Sequence, residues 1–260
     1  MLKKIGKFCF QLASKKTKFF TSAIILAAGK SERMKEVGIP KQMIELNGIP
    51  VVVHSLLAFE KSENIHEILV VGGAAELPLY REFKKKYNIT KLSLAVEGGM
   101  TRAESASHGF QKISNKAEFV LIHDAARCLI STEDIDRIVK EAYRTGAAIA
   151  AKKTTDTLKR ADENGYIAET VDRTLMWQAQ TPQVFKKSIY EVALAMEKSN
   201  DVGITDDAML VEKAGFRVKL VACESENMKI TTKQDLAIAK ILIEKKQRRF
   251  LHEFQNRTRL

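Results

Sequence analysis

Short apolar runs alternate with stripes of helical period from Ala23 to Ala151. Ala23–Leu26, Glu67–Val71, Leu92–Val96, Glu118–Ile122 and Ala147–Ala151 read as strands, being brief, continuous and rich in branched or small residues. Between them, Val51–Phe59, Leu79–Tyr87, Arg102–Ile113 and Glu133–Thr145 repeat apolar residues at helical spacing. Pro50 suits a helix start, Gly72-Gly73 and Gly98-Gly99 close strands, and Gly146 ends a helix. This alternation predicts an α/β fold, a Rossmann-like, mainly parallel sheet flanked by helices on both faces. Ligands of such sheets bind beyond the carboxyl ends of the strands. The loops Ala27–Lys41, Glu97–Ser105 and His123–Arg127 all follow strands.

From Lys152 to Trp177 the rhythm breaks. Thr154–Arg160 and Tyr166–Val171 alternate in β fashion around Glu163-Asn164-Gly165, a turn signal. They predict a hairpin arm, residues 152–177, protruding from the main domain. A helix near Ser188–Lys198 follows, then the acidic turn Thr205-Asp206-Asp207 opening another helix, then strand Arg217–Val221. A closing helix starts near Thr232, with Asp235 in its first turn.

The net charge of +11 acquires meaning only from its position. Residues 1–20 hold six lysines and no acid, and residues 244–260 hold six cations against two acids. The segment between is left near +1. We therefore divide the chain into a basic extension (1–20), a catalytic domain (21–243) that carries the arm, and a basic tail (244–260). A nucleic-acid binder is expected to carry its cations on a folded face with stacking aromatics or a reading motif, so no nucleic-acid partner is expected. No apolar run has the length to cross a bilayer, and the first residues lack a signal-peptide pattern. Cys9, Cys128 and Cys223 have no ligand spacing, which points to a reducing, cytoplasmic setting.

The strongest chemical signal is Ile24-Ile25-Leu26-Ala27-Ala28-Gly29-Lys30-Ser31-Glu32-Arg33-Met34, followed by Pro40-Lys41-Gln42. Small residues let a backbone pass close to a flat or phosphorylated ligand. Arg33 and Lys41 are spaced to reach a polyphosphate across the loop. The stretch is similar to the signature loop of sugar-nucleotide pyrophosphorylases and related nucleotidyltransferases. His123-Asp124-Ala125-Ala126-Arg127 places a carboxylate at a strand end, where it can hold Mg2+. His123 beside it is expected to be structural. Gly99, Arg102 and Ser105 belong to a glycine turn entering a helix; its backbone N–H groups could read a base edge, or the turn is a plain helix start capped by Thr101, the reading the segment favours by itself.

Together with Val171-Asp172-Arg173, Gln180-Thr181-Pro182-Gln183, Ile204-Thr205-Asp206-Asp207 and Asn227-Met228-Lys229-Ile230-Thr231, these segments resemble the 2-C-methyl-D-erythritol 4-phosphate cytidylyltransferase family from about Ala23 to Lys240. The resemblance implies transfer of a cytidylyl group from CTP to that polyol phosphate in the non-mevalonate isoprenoid pathway, with release of pyrophosphate and use of a divalent cation. By motif, Arg33 and Lys41 match the pair that stabilises the transition state. Arg173 and Lys229 match the residues that place the sugar phosphate, with Thr181 and Thr205 also on the substrate side. Ala27, Ala28, Gly29, Gly99, Arg102 and Ser105 match the cytidine loops, and Asp124 the aspartate near the metal. The arm of the family exchanges between two subunits, so a homodimer is implied, with Arg173 and Thr181 serving the partner's site. Ser31, Met100 and Cys128 depart from the family's usual residues, and the first loop is one residue longer than expected between Met34 and Lys41.

A phosphate monoester attacking an α-phosphorus is already an anion and needs no general base. The task is neutralising charge and holding the reacting groups in line. Ribitol 5-phosphate cytidylyltransferase shares several of the motifs and is the nearest alternative. A nucleotide-sugar glycosyltransferase is a more distant one, and the Asp-x-Asp motif it favours is missing after the relevant strand.

Overall fold

The computed structural model describes residues 19–29, 39–197 and 203–257, with side chains described as far as Arg248. Arg33, Ser31 and the basic residues before Phe19 lie outside the described residues. A seven-stranded sheet organises the molecule. Its strands are β1 (Thr21–Leu26), β4 (Glu67–Gly72), β5 (Leu92–Glu97), β6 (Phe119–Asp124), β7 (Ala147–Lys153), β10 (Trp177–Lys186) and β11 (Lys219–Ala222). The spatial order is β11-β7-β10-β6-β1-β4-β5. Two short antiparallel pairs stand apart from it. One is β2 (Glu45–Leu46) with β3 (Ile49–Pro50), and the other is β8 (Lys159–Ala161) with β9 (Ile167–Thr170).

Alternate residues of β1 point to opposite sides, and both sides are buried. Ala23 and Ile25 join one core cluster with Leu56 and Phe59 of α1 (Val51–Lys61), Tyr80 of α2 (Leu77–Lys86) and Ile138 of α4 (Thr132–Thr145). Ile24 joins another with Ala106 of α3 (Arg102–Phe110), Tyr190 of α5 (Lys187–Met196) and Val211 of α6 (Asp207–Lys213). A strand buried on both faces needs an uninterrupted apolar run, which is why β1, β4 and β6 stand out in the sequence. A third cluster seats α7 (Lys233–Arg257) through Ala239 and Ile243 against Leu46, Val51, Cys128 and Ile230. The basic residues from Glu244 to Arg257 thus continue a helix rooted in the body of the protein.

Two expectations are corrected. Trp177–Lys186 is a ten-residue strand that enters the sheet antiparallel to both β6 and β7. It includes Trp177, assigned from the sequence to the arm. Pro182 inside the run hides this strand, because a proline cannot complete a ladder. The register shift between Ala179 and Gln183 accommodates it. The hairpin is also shorter than expected, since Thr154–Leu158 do not pair as a strand. Its turn is held by the Asp162 carboxylate, which accepts from the N–H groups of Asn164 (3.0 Å) and Tyr166 (2.8 Å). Both hairpin strands are exposed, as are Tyr166, Ile167 and Leu175 nearby.

Candidate active site

The parallel strands align their carboxyl ends on one rim. Leu26 sits opposite both Val71 and Asp124. The chain leaves this rim tied down at three points: Ala27 N–H donates to Val71 O at 2.7 Å, Ala125 N–H to Leu26 O at 2.9 Å, and Gly98 N–H to Gly72 O at 2.9 Å. Above it opens a cleft of about 370 Å³. Ala27, Ala28, Gly29, Lys41, Gly99, Arg102, Ser105, Asp124 and Lys229 all line it, so one cavity gathers most of the residues picked from the sequence. Buried Gln42 and exposed Met100 also line it and were not singled out as binding residues.

Small residues serve two purposes here. A Cβ on Gly98 would lie 2.4 Å from the Ala28 Cβ, so the Ala27–Lys41 and Glu97–Ser105 loops can touch only because that position is glycine. A Cβ on Gly29 would meet no described atom within 4 Å. Smallness at Gly29 therefore leaves room in the cleft and is not demanded by the protein's own packing.

Asp124 is the electrostatic centre. Its Oδ2 accepts from Lys229 Nζ at 2.7 Å and its Oδ1 from Arg102 Nε at 3.2 Å. Arg127 Nε lies 3.9 Å from Oδ2. Burial alone would raise the carboxyl's pKa, but Arg102 and Lys229 outweigh it and hold the group well below the usual carboxylate range. Lys41 Nζ donates to the carbonyl of Ile230 at 3.2 Å, which ties the first cationic loop to the Lys229 segment.

Thr181 is placed differently from expectation. It is 4 % exposed and lies under Asp124. Its Oγ1 accepts from Asp124 N–H at 3.0 Å and pairs with His123 Nδ1 at 3.1 Å. His123 Nε2 lies 3.3 Å from Arg127 O. A carbonyl only accepts, so Nε2 carries the proton and Nδ1 accepts from Thr181. Burial lowers the His123 pKa to about 3, consistent with a neutral structural imidazole. With its hydroxyl engaged by Asp124 N–H and His123, Thr181 supports its own chain's Asp124 loop.

Three further placements concern reach. The N–H groups of Gly99 and Met100 are already bound, to Ser105 Oγ (3.0 Å) and Glu104 Oε2 (2.7 Å). Thr101 caps α3 in a capping box with Glu104. The glycine turn is thus held closed by its own helix start, and these two groups do not point unpaired at a base. Thr205 is exposed and lines a separate small depression beside α5 and α6, not the cleft. Arg173 lies on the arm, where its guanidinium donates to Thr155 O, and the single chain does not bring it to the cleft.

Supports missed in the sequence lie beneath the cleft. Asn227 is 2 % exposed, and its Nδ2 donates to Gln180 Oε1 (3.0 Å) and Thr181 O (2.8 Å). Arg127 Nη1 donates to Asn227 O at 2.9 Å. Asp134, at the start of α4, accepts from the N–H groups of Glu224 (3.2 Å) and Ser225 (2.8 Å) and from Arg137. These contacts fix the segment that delivers Lys229. The Asn-Met-Lys motif was visible, but its partners were not, since such pairings span 46 residues or more.

Among the described residues, no group of three or more His, Cys, Asp or Glu side chains comes together. Asp124 offers a lone carboxylate at the cleft. Mg2+ commonly binds through one or two carboxylates with substrate phosphates and water making up its shell. The residues present fit that mode and no all-protein cage.

Cations gathered over a small-residue loop at the rim of a parallel sheet suit a phosphorylated nucleotide, and the molecule takes its place among the α/β nucleotidyltransferases. The family model for 2-C-methyl-D-erythritol 4-phosphate cytidylyltransferase matches residues 21–245. A relative of that name from Syntrophus aciditrophicus is 38 % identical over 228 residues, covering 87 % of this chain and 97 % of the relative. One from Lachnospira eligens is 41 % identical over 225 residues, covering 85 % and 98 %. The crystal structure of 4-diphosphocytidyl-2C-methyl-D-erythritol synthase from Anaerococcus prevotii superposes with a TM-score of 0.78 at 29 % identity, covering 87 % of this chain and 97 % of that one. The 2-C-methyl-D-erythritol 4-phosphate cytidylyltransferase of Thermus thermophilus gives 0.68 at 30 % identity, covering 86 % and 98 %. The chain belongs to the 2-C-methyl-D-erythritol 4-phosphate cytidylyltransferase family.

Proposed function

We propose that this enzyme transfers the cytidylyl group of CTP to 2-C-methyl-D-erythritol 4-phosphate and releases pyrophosphate. The observation that carries the reading is the convergence of Lys41, Arg102 and Lys229 with the Ala27-Ala28-Gly29 loop on one cleft around Asp124. The family matches support the methylerythritol acceptor over ribitol 5-phosphate and over a sugar-transfer reaction.

The acceptor phosphate attacks the α-phosphorus of CTP as an anion, so no side chain has to remove a proton. Lys41, with Arg33 eight residues before it in sequence, neutralises charge that grows on the α-phosphoryl group and the departing pyrophosphate. Lys229, held by Asp124, presents a fixed cation to the acceptor phosphate. Ala27, Ala28 and Gly29 allow the nucleotide to lie against the backbone, while Gly99, Arg102 and Ser105 form the opposite wall. Mg2+ would be held by Asp124 together with phosphate oxygens, and when bound it supplies charge neutralisation for the triphosphate.

The second cation for the acceptor phosphate is Arg173 from the arm of another subunit. The arm leaves Tyr166, Ile167 and Leu175 exposed, the last at 80 %, and docking on a second copy covers such residues. The functional unit in this reading is a two-fold homodimer with shared sites. No helix among the described residues is long and apolar enough to cross a membrane. The two described cysteines are unpaired thiols, which suits a reducing cytoplasm. Pyrophosphate release from CTP, dependent on 2-C-methyl-D-erythritol 4-phosphate and not on ribitol 5-phosphate, tests the assignment.

A further inference from the structure

The acidic turn Thr205-Asp206-Asp207 takes no part in the reaction as set out above, and one of its carboxylates is buried. Asp206 has local work: it caps α6 by accepting from Met209 N–H at 2.9 Å, and it accepts from Gln183 Nε2 at 2.7 Å. Asp207 is 4 % exposed and faces inward. Its Oδ2 accepts from Arg102 Nη1 at 2.7 Å, and its Oδ1 from the Tyr190 hydroxyl at 2.7 Å. Arg102 thus forks between two carboxylates, Asp207 at the start of α6 and Asp124 at the end of β6. Only the second of these lines the cleft.

Tyr190 is 1 % exposed, with Phe110 edge-on at 5.0 Å and Phe185 stacked at 5.5 Å between ring centroids. Packed between these rings, the Tyr190 hydroxyl is directed at Asp207. Burial and the Asp207 charge push the phenol's pKa well above its usual value, so it remains a donor. A guanidinium prefers to meet a carboxylate through two parallel hydrogen bonds. Without Asp207, the nearest partner for both ends of Arg102 is Asp124.

We propose that Asp207 and Tyr190 are positioning residues for cytidylyl transfer. They hold Arg102 in its fork, so that it takes one oxygen of Asp124 and leaves the other to Lys229. The proposal rests on the reading of the cleft as the CTP site. It also gives the turn a role beyond capping a short helix.

Two conservative variants test it. Tyr190→Phe keeps the ring and removes only the donor, and Asp207→Asn keeps the shape and removes the charge. Each is measured for the CTP dissociation constant by calorimetry without acceptor, for the Michaelis constants of both substrates, and for thermal midpoint. Loss of a hydrogen bond to a charged group predicts CTP binding weaker by about tenfold in Tyr190→Phe, and by more in Asp207→Asn. The acceptor's Michaelis constant should rise as well, because Lys229, which meets the acceptor phosphate, shares Asp124 with Arg102. A purely structural role would lower the thermal midpoint and leave both CTP constants unchanged, and that result overturns the proposal. Should Asp207→Asn fail to fold, Tyr190→Phe decides alone. Wild-type protein that does not bind CTP would overturn the functional reading and this proposal with it. Wild-type binding with unaltered variants overturns this proposal only.

Discussion

Lys229 Nζ rests 2.7 Å from Asp124 Oδ2, although 105 residues separate the two in the chain. The pair joins the strand-end carboxylate to the last cationic loop and, in the proposed reaction, marks where the two substrates meet. Asp134, Asn227 and Thr181 all act to keep this pair in register, by fixing either the Lys229 segment or the Asp124 backbone.

In the proposed reaction, Lys41 and Arg33 act on charge that moves during transfer. Lys41→Ala and Arg33→Ala should each lower kcat by about a hundredfold or more while changing CTP binding much less. Steady-state kinetics with a parallel binding isotherm would separate the two effects. Unchanged turnover in either variant removes that residue from the chemistry.

Arg173 should show its effect on the acceptor side. Arg173→Gln is expected to raise the Michaelis constant for the polyol phosphate by about tenfold or more, with little change for CTP, because an amide cannot replace paired guanidinium–phosphate bonds. A selective rise for CTP would place Arg173 at the triphosphate instead.

Mixing two inactive variants tests the shared site. Lys41→Ala and Arg173→Ala protomers, allowed to exchange subunits, should regain activity, since some mixed dimers hold one site with both native residues. Absence of recovery after proven exchange would mean that each chain builds its site alone.

Asp134 gives a pH signature. Burial raises its pKa, but hydrogen bonds from Ser225 and Glu224 more than offset this and leave the folded value below the unfolded one. Its ionisation therefore adds stability above the unfolded carboxylate value of about 3.9, and that contribution fades as the pH falls through the folded value. Asp134→Asn should cost a constant amount from pH 5 to 7, about 1–3 kcal/mol, with the gap to wild type narrowing below about pH 4. Denaturant unfolding across that range checks it, and a gap that widens in acid would contradict it.

The parallel core was legible because strands buried on both faces must be apolar throughout, as Ile24-Ile25-Leu26 and Val120-Leu121-Ile122 are. The cleft loops were legible because close approach needs small residues, and that demand is local: Ala27, Ala28, Gly29 and Gly99 all line the cavity. The tenth strand was not legible, since Pro182 argues against a ladder. Thr181 was misplaced for a related reason. Its partners, Asp124 and His123, come from a strand 57 and 58 residues away, and nothing in Gln180-Thr181-Pro182-Gln183 by itself announces them. The Arg102–Asp207–Tyr190 chain likewise exists only once α3, α5 and α6 share one face of the sheet.

Pyrophosphate release by the purified protein is the decisive measurement of the reaction. With CTP, Mg2+ and 2-C-methyl-D-erythritol 4-phosphate, we expect stoichiometric pyrophosphate and a cytidine diphosphate adduct of the polyol. Ribitol 5-phosphate in its place should give little of either. No pyrophosphate with the methylerythritol substrate, or faster release with ribitol 5-phosphate, would contradict the account.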